Sequence, residues 1–365
     1  YASQIGAAVR PSAAQAPADN VAALLPPGLT GSLASNGWAL GAERSESGRG
    51  ALLASPHLPW EGERRLHEVH LTVTGAGGFD VYGAGYLGVP LVQLGFNASL
   101  AWTFTASSAA RFTLYRLALR GDDSYLTDGV ARALTAETFE IEVRRDAGLA
   151  PERRTLHRSH HGPIVRWDLA AGRAYALRDA TDDDPLLLDQ LLGLARSART
   201  AELLTSLSRL QALPFMAVLA ADREGNTLFV DAAQVPNLSD EALRAYRLAQ
   251  GQDAETIALS RVGVVLLDGS TSRDEWARAA DLARQPGLIP LSHAPQQTRR
   301  DFLFHANQAP WLQNPAQPLG GFSPLYGLDR GPLSPRARMN AVLLTETGPN
   351  AAGGPEGKWS LEELT

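Results

Sequence analysis

The sequence predicts an α+β protein in which helices pack on antiparallel sheets, and two observations carry that expectation. From Ser35 to Arg178, short apolar runs alternate with turn-forming clusters almost without pause. Two helical segments then interrupt, and strand-like runs resume at Met216. Strands, then helices, then strands again suit sheets covered by helices. No internal repeat is visible.

Residues 1–34 are rich in Ala, Pro, Ser and Gly, with Pro26-Pro27-Gly28 near their end. Such a segment buries too little apolar surface to offset the entropy of ordering it. It reads as a spacer or mobile arm, with a core over residues 35–365. The sequence opens on Tyr1 and carries no signal peptide, so it reads as a processed product or a fragment.

The first hairpin is expected between Trp38-Ala39-Leu40 and Ala51-Leu52-Leu53-Ala54, across the charged turn Glu43 to Gly50. Strands are expected at His70–Thr74, Phe79–Tyr82, Pro90–Leu94, Leu100–Thr105 and Phe112–Leu119. Later ones fall at Ile164–Trp167, Tyr175–Arg178, Met216–Ala220 and Thr227–Val230, the last two joined by the turn Asp222 to Asn226. Asp184-Pro185 has the form of an N-cap and N1 proline, predicting a helix to about Arg196. Thr200 is placed to cap a second, whose Leu203, Leu204, Leu207 and Leu210 share one face. The ending, Trp359 to Thr365, reads like the first turn of a helix.

Hydrophobic residues make up 44% of the 365 and charged residues 20%, a globular composition. The net charge of -6 argues against nucleic acid, whose binding needs clustered basic charge. No apolar run approaches the roughly 20 residues of a membrane-spanning helix. Cysteine is absent, which excludes disulfides and thiol chemistry.

Ser35 stands at the border between spacer and core. If the Ala34–Ser35 bond were cut, one residue would hold a hydroxyl nucleophile and a free α-amine. Such an amine has an unperturbed pKa of about 7.7–8.0, suited to a general base near neutrality. A turn opening a strand is the plain alternative, and an ordinary triad of Ser35, His57 and an aspartate is a third arrangement. Asn307 offers an amide donor for an oxyanion or serves a turn. Gly83-Ala84-Gly85-Tyr86-Leu87-Gly88 matches G-x-G-x-x-G, but no helix and no acidic partner follow, so turns or close backbone approach explain it better. His157, His160 and His161, and Asp182-Asp183-Asp184, lack zinc or EF-hand spacing and read as a solvated strand end and a helix N-terminus. No metal and no cofactor is expected.

Taken together, several stretches resemble the penicillin acylase branch of the N-terminal-nucleophile hydrolases. They are Ser35-Asn36-Gly37-Trp38-Ala39-Leu40, Leu52 to Trp60, Asp80-Val81-Tyr82-Gly83-Ala84, Leu100 to Ala106, Tyr175 to Asp179, Asp301 to Trp311 and Ser334 to Arg338. Order and spacing are kept from Ser35 to about residue 345. The resemblance implies a four-layer αββα sandwich with antiparallel sheets. It also implies that Ser35 is the nucleophile, exposed by cleavage after Ala34, with its amine acting as base through a water. The Ala106 N–H and the Asn307 side chain would form the oxyanion hole, His57 would help hold the amine, and Arg336 would support the asparagine. Leu58, Tyr86, Val89 and Phe215 match acyl-pocket positions.

The implied reaction is amide hydrolysis through an acyl-enzyme. The forms His57-Leu58-Pro59-Trp60 and Pro335-Arg336-Ala337-Arg338 look closest to acylases of N-acyl-homoserine lactones and of echinocandin-type lipopeptides, with β-lactam acylases as the alternative. An export to the periplasm, or secretion, and a separate α-chain closing the acyl pocket are implied as well. A non-catalytic binding domain that is never cut is the reading from another class.

Departures accompany these matches. Ala34 stands where Gly usually precedes the cut, with Gly31-Ser32 as a second candidate, and Ser55 replaces a usual Asn. Ser107, Ser108, Ala109 and Ala110 stand where penicillin G acylases carry calcium-binding aspartates, so that ion is not expected. His305 and Gln308 replace residues usual in the lactone acylases. The α-chain and the end of the β-chain are missing from the resemblance.

Overall fold

The computed structural model describes residues 34–146, 148–182, 184–278 and 285–364. In chain order these form β1 (Ala34–Leu40), β2 (Ala51–His57), β3 (Leu66–Val73), β4 (Phe79–Tyr86), β5 (Leu94–Phe96) and β6 (Leu100–Ala106). Next come β7 (Phe112–Leu119), β8 (Ser124–Thr127), β9 (Val130–Ala133), β10 (Thr135–Arg145), β11 (Gly148–Ser159), β12 (Gly162–Asp168) and β13 (Arg173–Asp179). Then follow α1 (Leu187–Arg196), α2 (Thr200–Leu210), β14 (Met216–Asp222), β15 (Thr227–Asp231), α3 (Asp240–Gln252), α4 (Ala254–Ser260) and β16 (Val265–Asp268). The last elements are β17 (Gln296–Arg299), β18 (Phe302–His305) and α5 (Pro335–Thr345). Within the described residues one compact unit holds 34–111, 184–235 and 285–364, and the other holds 112–182 and 236–278.

The first unit is layered. β1 lies between β18 and β2 in a three-stranded antiparallel sheet, registered Leu40↔Ala51 on one side and Leu40↔Phe302 on the other. Successive side chains of a strand point to opposite faces. Trp38 and Leu40 therefore pack outward with Phe304, Leu312, Leu344 of α5 and Trp359. Ala39 and Leu303 pack inward against Ala217, Leu219, Ala221 and Phe229. Those inner partners lie on a seven-stranded antiparallel sheet ordered β17-β15-β14-β6-β5-β4-β3. α1 and α2 cover its far side through Leu191, Leu194, Leu203 and Leu207, all essentially fully buried. Full burial of each such side chain stabilises by about 1.5–3 kcal/mol. β14 is consequently buried along all seven of its residues. The order of layers is α5, sheet, sheet, α1–α2, the αββα arrangement that the resemblance implies.

The second unit is an eight-stranded sheet ordered β10-β11-β12-β13-β7-β8-β9, with β16 parallel to β7. Leu114, Tyr175, Leu177, Leu259, Val264 and Leu266 form its core. Its β10–β11 hairpin is largely exposed.

Several expectations need correction. α1 begins at Leu187 without a side-chain cap, because Asp184 spends its carboxylate on the Leu186 N–H (3.1 Å) and the Gln234 amide (2.6 Å). Thr200 is the first residue of α2 rather than its cap, and its hydroxyl donates to Asp222 (2.9 Å). Only Leu94 of the run Pro90–Leu94 is in a strand. Pro90 has no N–H for a ladder, and Gly88 turns the chain at a φ of 92°. The ending is a turn in which Ser360 and Glu363 cap one another reciprocally, 2.8 and 3.2 Å, as at a helix entry. Residues 1–33, expected to be a spacer, lie outside the described residues. The glycine motif behaves as expected: a Cβ on Gly83 would lie 2.2 Å from the Leu94 carbonyl oxygen, so the backbones of β4 and β5 meet only through glycine.

Candidate active site

Ser35 is the second residue of β1 and is buried. Its backbone N–H donates to Asn307 Oδ1 at 2.7 Å, and its hydroxyl donates to the Ala34 carbonyl at 2.6 Å. The nucleophile candidate therefore already touches the carbonyl of the bond whose cleavage would free its amine.

Asn307 lies two residues beyond β18, with a φ of 63°. A short polar side chain tolerates this left-handed conformation better than most. The turn is braced by neighbours. The buried His305 ring bonds the Thr105 hydroxyl (2.6 Å) and the Gln308 carbonyl (2.9 Å), while Gln308 Oε1 accepts the Ala306 N–H at 2.6 Å. Burial pulls the His305 pKa down to about 4, with the Arg336 charge acting in the same direction. The ring is thus neutral at neutral pH, donating from Nε2 and accepting at Nδ1.

The Asn307 amide has its orientation fixed by chemistry. Oδ1 receives the Ser35 N–H and, at 2.8 Å, a guanidinium N–H of Arg336. Nδ2 donates to the Ala106 carbonyl at 2.9 Å. One Nδ2 hydrogen then remains for a ligand. Ala106 ends β6 opposite Met216. The Ser107 N–H donates to the Phe215 carbonyl at 2.9 Å, so the alternation of an antiparallel ladder makes Ala106 and Met216 the non-hydrogen-bonded pair. The Ala106 N–H accordingly faces away from β14. The Asn307 amide and Ser35 thus meet at this corner, with the Ala106 N–H on the side away from β14.

Arg336 reaches it from the first turn of α5, where Ser334 accepts the Ala337 N–H at 3.1 Å and Pro335 occupies the first turn. Its guanidinium also donates to the Ser35 carbonyl and to Asn36 Oδ1 (2.8 Å), and burial draws its pKa below the usual value. A lysine cannot reproduce this planar fork. If the corner hydrolyses an acyl amide, as the resemblance implies, Arg336→Lys is expected to lower kcat roughly tenfold with a smaller change in KM, since the fork that aligns Asn307 and the Ser35 backbone is lost. Steady-state kinetics beside a melting curve check this, and an unchanged kcat would remove Arg336 from the site.

Four positions named from the sequence, Ser35, Ala106, Asn307 and Arg336, are thus brought together. His57 is less central. Its Cα pairs with Ala34 across β1 and β2, but its ring is exposed and meets the Ser55 hydroxyl at 3.3 Å. With Ala34 attached, the Ser35 nitrogen is an amide, and its N–H is held by Asn307.

Beside Ser35 lies a cavity of about 30 Å³ lined by Pro56, Leu58, Leu66, Tyr86, Leu94, Phe104, Ala106, Phe215 and Met216, among others. Of the residues named for an acyl pocket, Leu58, Tyr86 and Phe215 line this cavity and Val89 does not. Tyr86 is positioned by a backbone bond from its N–H to Gln93 Oε1 (2.6 Å). The exposed part of the wall is mostly apolar, with Ser35, Gln93 and Thr105 as its polar members.

The other clusters lie elsewhere. His157 stands edge-on to Trp167. His160 Nε2 bonds Glu275 at 2.6 Å and its Nδ1 bonds the Tyr125 hydroxyl at 2.6 Å. With His161 these groups lie close enough to suggest a metal centre. The His160 and His161 ring centres are only 3.8 Å apart, however, whereas two imidazoles on one tetrahedral ion sit roughly 5 Å apart. Arg178 already neutralises Glu275 at 3.2 Å. Asp182 faces Arg158 at 3.5 Å. Ser107 and Ser108 spend their hydroxyls on Asp231 (2.7 Å) and the Tyr326 carbonyl (3.1 Å).

The fold and this corner define a class that the comparisons make explicit. A family model described as penicillin amidase matches residues 2–365, and the chain belongs to that family of amidohydrolases. The acyl-homoserine lactone acylase PvdQ of Pseudomonas fluorescens (strain Pf0-1) is 40% identical over 312 residues, covering 84% of this chain and 39% of that protein. The aculeacin-A acylase of Actinoplanes utahensis is 34% identical over 335 residues, covering 90% and 41%. The chain thus spans about two-fifths of the length of these curated relatives. A thermostable penicillin G acylase from Alcaligenes faecalis superposes with a TM-score of 0.64 at 22% identity, over 90% of this chain and 51% of that one. That likeness shows the fold.

Proposed function

We propose that the protein is an acylase of N-acyl-homoserine lactones, hydrolysing their amide bond through an ester on an N-terminal Ser35. The observation that carries this reading is the single corner at which Ser35, Asn307, Ala106 and Arg336 meet beside an apolar cavity. Cleavage after Ala34 turns the Ser35 nitrogen into an amine. One of its hydrogens stays on Asn307 Oδ1, which leaves its lone pair to take the hydroxyl proton. The Ser35 oxygen adds to the amide carbon, and the developing oxyanion receives the Ala106 N–H and the spare Asn307 Nδ2 hydrogen. Collapse breaks the carbon–nitrogen bond, and the ammonium gives its proton to the departing amine of the lactone. Water, deprotonated by the same amine, then adds to the ester, and the carbon–oxygen bond breaks to free the fatty acid and return a proton to Ser35.

The lactone head group is favoured by the identity to PvdQ-type acylases, and the lipopeptide reading by the aculeacin-A acylase. A second chain of the same precursor closes the acyl pocket, and the mature protein works in the periplasm or outside the cell. The test is a panel of acyl-homoserine lactones of graded chain length beside penicillin G and a lipopeptide, run on the full precursor after processing. Release of free homoserine lactone at the highest kcat/KM supports the proposal. Preferential hydrolysis of penicillin G or of the lipopeptide replaces it, and a protein that stays uncut and hydrolyses none is a binding domain on this fold.

A further inference from the structure

The loop behind Ala106 rests on a carboxyl group that the catalytic scheme does not use. Asp231 ends β15, is completely buried, and accepts the Ser107 hydroxyl at 2.7 Å and the Ala233 N–H at 3.3 Å. Its own N–H donates to the Pro295 carbonyl at 2.9 Å, which fixes its backbone. Ser107 directly follows Ala106. Its hydroxyl also accepts the Ala109 N–H at 3.0 Å, and its N–H donates to the carbonyl of Phe215, a cavity residue. Asp231 thus grips the chain one residue beyond the N–H read as an oxyanion donor.

We propose that Asp231 is a positioning residue for the oxyanion-binding corner, setting the Ala106 N–H through the Ser107 hydroxyl. The inference rests on the reading of Ala106 as an oxyanion donor. Burial raises the Asp231 pKa to about 7, only partly offset by the Ser107 hydroxyl and the Ala233 N–H. Among the described residues the ionisable group facing it is Tyr326, whose buried phenol is pushed well above its usual value by burial and by the Asp231 charge. β14 opposes it with Ala217 and the chain before β17 with Pro295, neither of which ionises.

The two protonation states grip differently. The carboxylate accepts from both Ser107 and Ala233. The neutral acid must donate its proton, and Ser107 Oγ, the neighbour at 2.7 Å, can receive it only by turning its own hydrogen away. The grip therefore changes near the pH at which an N-terminal amine, with a pKa of about 7.7–8.0, works as a base.

Asn at position 231 mimics the neutral acid, its oxygen toward the Ala233 N–H and its NH₂ toward Ser107, and cannot titrate. In the processed protein, Asp231→Asn is expected to lower kcat at pH 8–9 roughly tenfold with little change in KM, a milder loss than deletion of an oxyanion donor. The wild-type limb near pH 7 disappears and only the amine limb remains. Ser107→Ala removes a hydrogen bond that favours the carboxylate, so the Asp231 limb moves to higher pH. A second readout needs no turnover: the amide NMR shifts of Ala106, Ser107 and Ala109, followed from pH 5 to 9. They inflect near pH 7 in the wild type, at higher pH in Ser107→Ala, and stay flat in Asp231→Asn. Should the shifts not inflect in the wild type, or should Asp231→Asn keep both the limb and the alkaline kcat, the proposal is overturned. Should the wild type hydrolyse no acyl amide while the shifts behave as stated, the reading of Ala106 as an oxyanion donor fails and the Asp231 linkage to this backbone stands.

Discussion

Ser35→Ala is expected to leave the Ala34–Ser35 bond intact and to abolish acyl-amide hydrolysis, by at least about 10⁴-fold. The size follows from the doubling of roles in one residue. Removing the hydroxyl deletes the proposed attacking oxygen in turnover. It also deletes the group that contacts the Ala34 carbonyl at 2.6 Å and would initiate cleavage. Without cleavage the nitrogen remains an amide, whose lone pair is delocalised and cannot take a proton. The β1 backbone would be unaffected, because its ladder bonds to β2 and β18 do not involve the side chain. Intact-mass spectrometry and hydrolysis assays on the same preparation decide it. A Ser35→Ala protein that is still cut after residue 34, or that still releases acyl groups, would sink the assignment of the nucleophile.

The second large effect is expected at Asn307. Deleting one oxyanion donor typically lowers kcat by about 10²–10³. Asn307→Ala does more, since it also strips the acceptor from the Ser35 nitrogen and from Arg336, so the loss belongs at the upper end. An Ala at a φ of 63° adds a backbone cost of roughly 1–2 kcal/mol that lowers stability without touching chemistry. Asn307→Asp separates the two effects. Aspartate tolerates the same backbone and keeps the pairing with Arg336, but it turns the Nδ2 donor into an oxygen facing both the Ala106 carbonyl and the developing oxyanion. Both variants should lose at least about 10² in single-turnover acylation, and only the alanine variant carries the backbone cost. An Asp variant with wild-type acylation would remove Asn307 from the oxyanion hole.

Much of the first unit was legible because its strands are short apolar runs bounded by turn residues, buried on both faces. Trp38-Ala39-Leu40 against Ala51 to Ala54 gave a hairpin that the structure registers residue for residue. The α2 stripe of Leu203, Leu207 and Leu210 is buried as its spacing required. Other elements were hidden for physical reasons. β10 does alternate, with Phe139, Ile141 and Val143 between charged residues, but that period-two pattern went unused, while the exposed β11 carries no such alternation. β18 is only four residues long, buried throughout, and too short to distinguish by periodicity. α5 carried a Ser334-Pro335 start signal that went unused in the reading of helices. The corner itself came from resemblance, since nothing local in Asn307 or Arg336 reveals that they meet across 29 positions of chain. His305 and Asp231 were missed as supports. Each is a lone polar residue ending an apolar run, where burial is decided by neighbours far along the sequence. The only available sign was the cost of ending such a run with an ionisable group.

β1 runs through the middle of its sheet, with β2 on one flank and β18 on the other. Polypeptide ends ordinarily fray, and an amine at the tip of a loose strand samples many orientations. A cut after Ala34 would instead create an end clamped at birth: its nitrogen on Asn307, its carbonyl on Arg336, and the residues behind it laddered on both sides. Such a terminus has almost no orientational freedom left to lose when substrate arrives. Severing the backbone there releases the reactive group while leaving its scaffold as stiff as an uncut strand.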